Sequence, residues 1–500
     1  MNLFAYLLIY FTTPFYQIFK YWASLEFFVL KSNYMSNKTI KWTIFTVTVI
    51  GNFIAMLDST SVTLALYPIA NDLGVTMSQV QWVIIAYMLT LTIFLPFFGK
   101  LGDIFAKNKL YSIGFILFAI GAILNSASYS FESLVAFRCI EALGASIMLS
   151  NASAIIATIF RDEKRGKALG INGSVIAIGG MSGPAIGGLL INNFGWRSIF
   201  IPSIPIALIG AYYAYKLLPS SANKLKDFKF DYLGFFYFTV CLLALLLAIS
   251  EGHVWGWKSI QIITLSIISL LFGALFYFRD YKINYPLINF KMFKIREFTL
   301  GNLAVMTSYM AMFTNGILLP FFLQEILKYD ALKAGLLILP YSVTLSITAP
   351  LSGNYAGKHG SRFITLCGPT VMIIALLIFT TFDQSTPAWQ IIVASGIMGI
   401  GNGLFQSPSN NAIIASVQKN ELGIASGILA LSRNMGHIMG VAITITLFES
   451  FRTVFLKSME YTQAFLKAYH STMIIGMCFA IICFILAFFA YKNSYKFTKS

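Results

Sequence analysis

Long apolar runs, each closed by charged or turn-forming residues, recur along this chain from one end to the other. A helix needs about 20 apolar residues to cross the hydrocarbon core of a bilayer. Runs of that kind lie near residues 42–69, 79–99, 110–129, 133–159, 168–192 and 198–218, and again near 232–250 and 259–278. Six more follow near 298–323, 334–356, 362–382, 388–416, 422–449 and 470–491. The pattern predicts an all-α integral membrane protein with fourteen transmembrane helices, since a helix satisfies its own backbone polar groups in lipid. Residues 1–34 stand outside the series: they are apolar and aromatic but broken by Pro14, Lys20 and Glu26. They lack the basic start and cleavage site of a signal peptide. They read either as an interfacial helix or as an early assigned start ahead of Met35.

The series also repeats. Ala154-Ile-Ile-Ala157 recurs as Ala412-Ile-Ile-Ala415, and Gly166-x-Ala168-x-Gly170 as Gly423-x-Ala425-x-Gly427. Gly179 and Gly183 match Gly436 and Gly440, and Pro96-x-x-Gly99 matches Pro350-x-x-Gly353. Four matches in order at a near-constant offset predict two parallel six-helix bundles, a plan in which a substrate site lies between the halves at mid-membrane. The expected organisation is an N-terminal extension (1–34), a first six-helix bundle (35–220), two inserted central helices (221–297) and a second six-helix bundle (298–500).

Composition removes the soluble classes. Residues of the set AVILMFWYC make up 57% of the chain and charged residues 11%, against about 25% charged in globular proteins. The net charge of +16 does not mark a nucleic-acid partner, because the basic residues punctuate apolar runs rather than line a face. Distributed over alternate sides of the fourteen spans, 25 of them fall on one side and 7 on the other. The positive-inside rule then places both ends of the fourteen-span body in the cytoplasm. The five cysteines all lie in apolar runs and read as small buried hydrophobes. No metal-binding, nucleophile-elbow or zinc-protease motif is present in the sequence, and the four histidines are scattered, so neither an enzyme nor a metal or cofactor site is expected. Repeated charged rings and a filter sequence, the marks of a channel, are also missing.

Between spans two and three runs Gly99-Lys-Leu-Gly102-Asp103-Ile-Phe-Ala-Lys107-Asn-Lys109. Its glycines permit a tight turn and close helix contact, and Asp103 can pair with a helix N-terminus or nearby bases. This loop resembles that of the major facilitator superfamily, with Ile104 and Ala106 where that family has Arg and Gly. Further segments are similar to the fourteen-span drug:proton antiporter family within it: Leu57-Asp58-Ser-Thr60-Ser-Val-Thr63 in span one, and Gln81-Trp82 to Tyr87 at the start of span two. Gly179-x-x-x-Gly183-Pro184-x-x-Gly187-Gly188 in span five matches that family's antiporter motif, and Trp196-Arg197, Pro408 and Arg433-Asn-Met-Gly436 also fit. The resemblance runs from Met35 to about residue 490. It implies a major-facilitator fold and a proton-coupled exporter of lipophilic or cationic drugs, of the multidrug efflux type, in the cytoplasmic membrane. The implied partners are small molecules, protons and the lipid bilayer, the expected state is a monomer, and the proton gradient replaces any cofactor. Export of a native metabolite, lipid or siderophore, or uptake of a nutrient, remains the alternative on the same fold, because fold does not name cargo.

Four charged residues lie deep in the predicted spans: Asp58, Arg138, Glu141 and Arg433. An unpaired Asp or Arg at mid-membrane costs roughly 2.5–3.5 kcal/mol or more. Arg138 and Glu141 stand three residues apart, on one helical face. Glu141-Ala142 departs from the Gln-Gly of the family and adds a titratable group. Burial and a neighbouring cation act on a carboxyl in opposite senses, so Asp58 is the leading candidate for the proton site, with Glu141 sharing the task or only neutralising Arg138. His437 is either a proton relay or an interhelical hydrogen-bonding residue. A weaker set, Trp82, Tyr87, Phe405, Arg433 and His437, is expected to meet substrate, with Glu325 and Glu449 available to attract cations.

Overall fold

The apolar runs fold as long helices, and the polar stretches between them supply the stops and caps. The computed structural model describes residues 38–160, 163–218, 231–283, 288, 290–417 and 422–491; the extension 1–34 lies outside them. Fourteen long helices are present among these residues: α1 (Lys38–Leu73), α2 (Trp82–Ile104), α3 (Lys107–Ser126), α4 (Phe131–Ile159), α5 (Glu163–Phe194), α6 (Ser203–Leu217) and α7 (Tyr232–Trp255). They continue as α8 (Ile260–Lys282), α9 (Arg296–Phe321), α10 (Ala331–His359), α11 (Arg362–Phe379), α12 (Ala388–Ala415), α13 (Leu422–Phe455) and α14 (Tyr461–Ala490). Thirteen segments are long and apolar enough to cross a membrane; the fourteenth long helix is α5, which carries the Gly-Pro motif.

Helix starts follow from side-chain caps. Ser130, Asp231, Ser259 and Asp330 each accept a hydrogen bond from the backbone N–H three residues ahead, which satisfies a donor the first turn leaves unpaired. Chain reversals use glycine: Gly74, Gly195, Gly256 and Gly360 sit at positive φ.

From Ile44 onward the chain forms one body. In its first half α3 packs along α4 and α6, and α2 along α4. The Tyr111 hydroxyl donates to Thr48 O at 2.7 Å, tying α3 to α1. In the second half α12 lies along α10 and α11, while α9 lies along α13 and α14. The inserted helices α7 and α8 pack on each other, and α7 also touches α13 and α2. Helix α8 is the outermost, with Ile260, Ile267 and Leu270 largely exposed, as expected of side chains that face lipid.

Internal repetition extends to atomic contacts. Gly179 approaches Phe53 and Met56 of α1, just as Gly436 approaches Met306 and Tyr309 of α9. Gly114 meets Gly144 between α3 and α4, as Gly368 meets Gly401 between α11 and α12. This register pairs Asp58 with Ala311, Thr60 with Phe313, Arg138 with Ser395, Glu141 with Met398 and Gly180 with His437.

Several contacts join the halves, all at the end that carries the α1–α2, α5–α6 and α9–α10 turns. A Cβ on Gly188 of α5 would lie 2.6 Å from Ala331 O of α10, and one on Gly335 of α10 would overlap Pro184 O. Gln324 Nε2 donates to Leu64 O at 3.2 Å, and the Tyr67 and Phe321 rings meet edge to face. Arg452 Nη1 lies 3.8 Å from Met77 Sδ. At this end the two halves are therefore closed on each other.

Candidate functional site: a buried charge cluster in the first bundle

Asp58 reaches the interior from the middle of α1, and Arg138 and Glu141 come from one face of α4. All three are sealed from solvent, at 0%, 1% and 0% exposure. Arg138 Nη1 donates to Asp58 Oδ2 and to Glu141 Oε2, each at 2.6 Å. Its Nε donates to Val83 O of α2 at 3.3 Å, and its guanidinium lies 4.2 Å from the centre of the Tyr87 ring. Asn125 Nδ2 of α3 donates to the same Glu141 Oε2 at 2.6 Å. Four helices thus converge on one cation. Among the described residues, Asp58 Oδ1 and Glu141 Oε1 have no hydrogen-bond partner, so each carboxyl keeps one oxygen free to take a proton.

The chemistry follows from the count of charges. One guanidinium cannot fully compensate two carboxylates in an apolar interior, where an unpaired charge is costly. A proton on either carboxyl leaves a matched pair. At the matching positions of the second bundle stand Ala311, Ser395 and Met398, none of them charged.

Of the residues singled out in the sequence, the structure gathers Asp58, Arg138, Glu141 and Tyr87 and disperses the others. Trp82 Nε1 donates to Glu251 Oε1 of the inserted helix α7 at 3.0 Å. Phe405 is fully buried and packs on Gly368 of α11, so in this structure it meets a neighbouring helix rather than a substrate. Arg433 is half-buried rather than sealed and, among the described residues, is not in an ion pair, although it lies only one turn from His437 on α13. His437 does not make the expected interhelical hydrogen bond through Nε2; its ring stacks on Phe313, centroids 3.4 Å apart. The cysteines are also less buried than expected: Cys483 alone is buried, three are intermediate and Cys478 is exposed, on a surface where lipid replaces water.

The motif residues sit at helix contacts. Gly179, Gly183 and Gly187 face α1, and Gly188 faces α10. Gly102 fits against Asn151 of α4, and Gly99 lies near Ser150. Asp103 is in the last turn of α2, and its side chain lies outside the described residues. Trp196 Nε1 and Arg197 Nη1 both donate to Asp72 Oδ2, at 2.9 and 2.8 Å, which clips the entry of α6 to the end of α1. Sequence reading missed that Asp58 joins Arg138 across 80 residues, that Asn125 completes the cluster, and that Glu449 pairs with Arg452 at 2.8 Å near the closed end. The Arg452 pair had a signal, an i,i+3 spacing; the long-range contacts had none.

The fold agrees with what comparison with known proteins finds. The Major Facilitator Superfamily pattern matches residues 48–288 and 301–500, and the chain belongs to that superfamily: it is a multi-span membrane transporter and not an enzyme. It is 34% identical over 456 residues to the riboflavin transporter RibZ of Clostridioides difficile (strain 630), covering 91% of this chain and 99% of that protein. It is 29% identical over 395 residues to the multidrug resistance protein Stp of Mycobacterium tuberculosis (strain ATCC 25618 / H37Rv), covering 79% and 73%. The crystal structure of a bacterial homolog to the human lysosomal transporter Spinster, inward-facing and unoccupied, matches with a TM-score of 0.68 at 16% identity, over 92% of this chain and 98% of that one.

Proposed function

We propose that this transporter is a proton-coupled secondary carrier that exports lipophilic or cationic organic compounds across the cytoplasmic membrane, driven by the proton gradient alone. The observation that carries the reading is the sealed Asp58–Arg138–Glu141 cluster, with two carboxyls on one guanidinium. A proton entering from outside settles on Asp58 or Glu141 and lets the loaded first bundle rock; its release inside resets the carrier. Arg138 holds whichever carboxyl is ionised, and Tyr87 shields the guanidinium from water. The Gly-Pro segment of α5, seated on both α1 and α10, supports exchange between closed ends. The relation to Stp supports a drug-like cargo.

A second reading is favoured by the similarity to RibZ, which spans nearly all of that protein: the cargo is then a metabolite such as riboflavin, and the direction is uptake. Both readings share the same coupling site.

The test is Asp58→Asn in everted vesicles. Transport driven by an imposed pH gradient should be lost at normal protein abundance; undiminished transport would remove Asp58 from its role. Proton exchange on binding by purified protein, with dyes, quaternary ammonium compounds and riboflavin compared, decides the cargo: proton release by drug-like compounds supports the first reading, whereas proton uptake with riboflavin alone selects the second.

A further inference from the structure

The rings of Phe313 on α9 and His437 on α13 lie parallel, 10° apart in plane and 3.4 Å between centroids. The stack extends to Tyr309, whose ring is stacked on Phe313 at 6.4 Å. His437 is 8% exposed, and its Nε2 is buried without a hydrogen-bond partner. Phe313 and Tyr309 themselves are only half-buried.

The repeat register shows that the fold does not require these rings. The positions matching Phe313 and His437 in the first bundle are Thr60 and Gly180, and there a Cβ on Gly180 would only graze Thr60 at 3.9 Å. Small side chains suffice to pack the same crossing. The register also fixes the depth: Thr60 lies about half a turn from Asp58, so the rings sit at the level of the charge cluster, on the opposite bundle. Their orientation follows from helix periodicity. About three turns beyond Phe313, in the π-helical turn Phe322–Ile326 that continues α9 and close to the same face, Gln324 reaches Leu64 of α1. Two turns beyond Thr60, Tyr67 reaches Phe321 of α9. The face of α9 that carries Phe313 therefore looks toward the first bundle, where substrate sites of two-bundle carriers lie.

We propose that the Tyr309–Phe313–His437 stack is the receiving surface for the cargo, and that it selects a flat heteroaromatic ring with hydrogen-bonding groups at its edge. The ligand ring packs offset against the partly exposed sides of Tyr309 and Phe313, an arrangement that aromatic rings favour. As the rings adjust, the imidazole Nε2 gains the partner it lacks. This assignment rests on the transporter reading above and adds the chemistry of the cargo; coupling stays in the first bundle and recognition in the second.

Purified full-length protein, at fixed pH and with no gradient, tests it. The probes are riboflavin (flat and neutral), ethidium (flat and cationic) and tetraphenylphosphonium (a lipophilic cation without a fused flat ring). At least one flat probe should bind saturably. Phe313→Leu should weaken it about tenfold or more, Phe313→Tyr by less than about twofold, and His437→Phe, which keeps a ring but loses the nitrogen, several-fold. Tetraphenylphosphonium binding should not follow this order. Failure of wild-type protein to bind either flat probe, an unchanged Kd in Phe313→Leu, or equal weakening of all three probes would overturn the proposal. In an Asp58→Asn background substrate-induced proton release should be lost while the order of the Phe313 and His437 effects on flat-probe binding persists, so a failure of coupling and a failure of recognition are read separately.

Discussion

Arg138 serves two carboxylates through a single nitrogen, and that makes it the most sensitive residue in the first bundle. Removing one partner of a buried ion pair costs about 3–5 kcal/mol, because the other charge stays buried alone. Arg138→Met should therefore lower the melting temperature of the solubilised protein sharply. Adding Asp58→Asn and Glu141→Gln to that variant should restore most of the loss, since no unpaired charge then remains; a triple variant as unstable as the single one would show that packing, not charge, sets the cost. Part of this cluster is legible in the sequence. The i,i+3 spacing puts Arg138 and Glu141 on one face, and the price of a bare charge in lipid points to Asp58. That the two features are one site is a matter of helix packing, which no local spacing encodes. The same limit explains Arg433: depth along an apolar run was readable, but the side toward which the helix turns was not.

At the scale of elements, α5 is the hinge between partners. It lies on α1 through Gly183, where a Cβ would overlap the Thr60 hydroxyl, and on α10 through Gly188. Gly188→Leu should force α10 away from α5 and weaken the closed end. In a cysteine-free background, a cysteine placed at Thr63 should then react faster with a membrane-impermeant thiol reagent added outside, and transport should fall at least tenfold by the order-of-magnitude effect of misplacing an element by about 1 Å. Unchanged labelling would mean that this contact does not hold the closure. The number and order of helices were readable from apolar runs because lipid demands them. Their ends were less so. The last helix was expected near 470–491 but begins at Tyr461, and His470, about two and a half turns inside it, hydrogen-bonds Phe382 O at 2.6 Å. Apolarity marks where lipid lies, whereas backbone hydrogen bonds continue the helix past it. The inserted helix α7 gives a similar lesson: it reads as a spacer, yet Glu251 bonds Trp82 of the first bundle and Ile249 O accepts from Thr446 of the second at 3.0 Å.

At the scale of the whole molecule, two bundles built on one register have taken different side chains: charges in the first, stacked rings in the second. That division has an electrical consequence. With both carboxyls ionised the cluster carries one net negative charge, and with one proton aboard it carries none. In a cycle that exchanges one proton for one cargo molecule, neutral cargo leaves one positive charge moved inward per turn, whereas a monovalent cation moved outward cancels it. A membrane potential of 100 mV therefore contributes about 2.3 kcal/mol to the first cycle and nothing to the second. At constant pH difference, a potassium–valinomycin potential should speed exchange of a neutral flat molecule and leave that of a flat monocation unchanged. In such a cycle the membrane potential reads out the charge of the cargo.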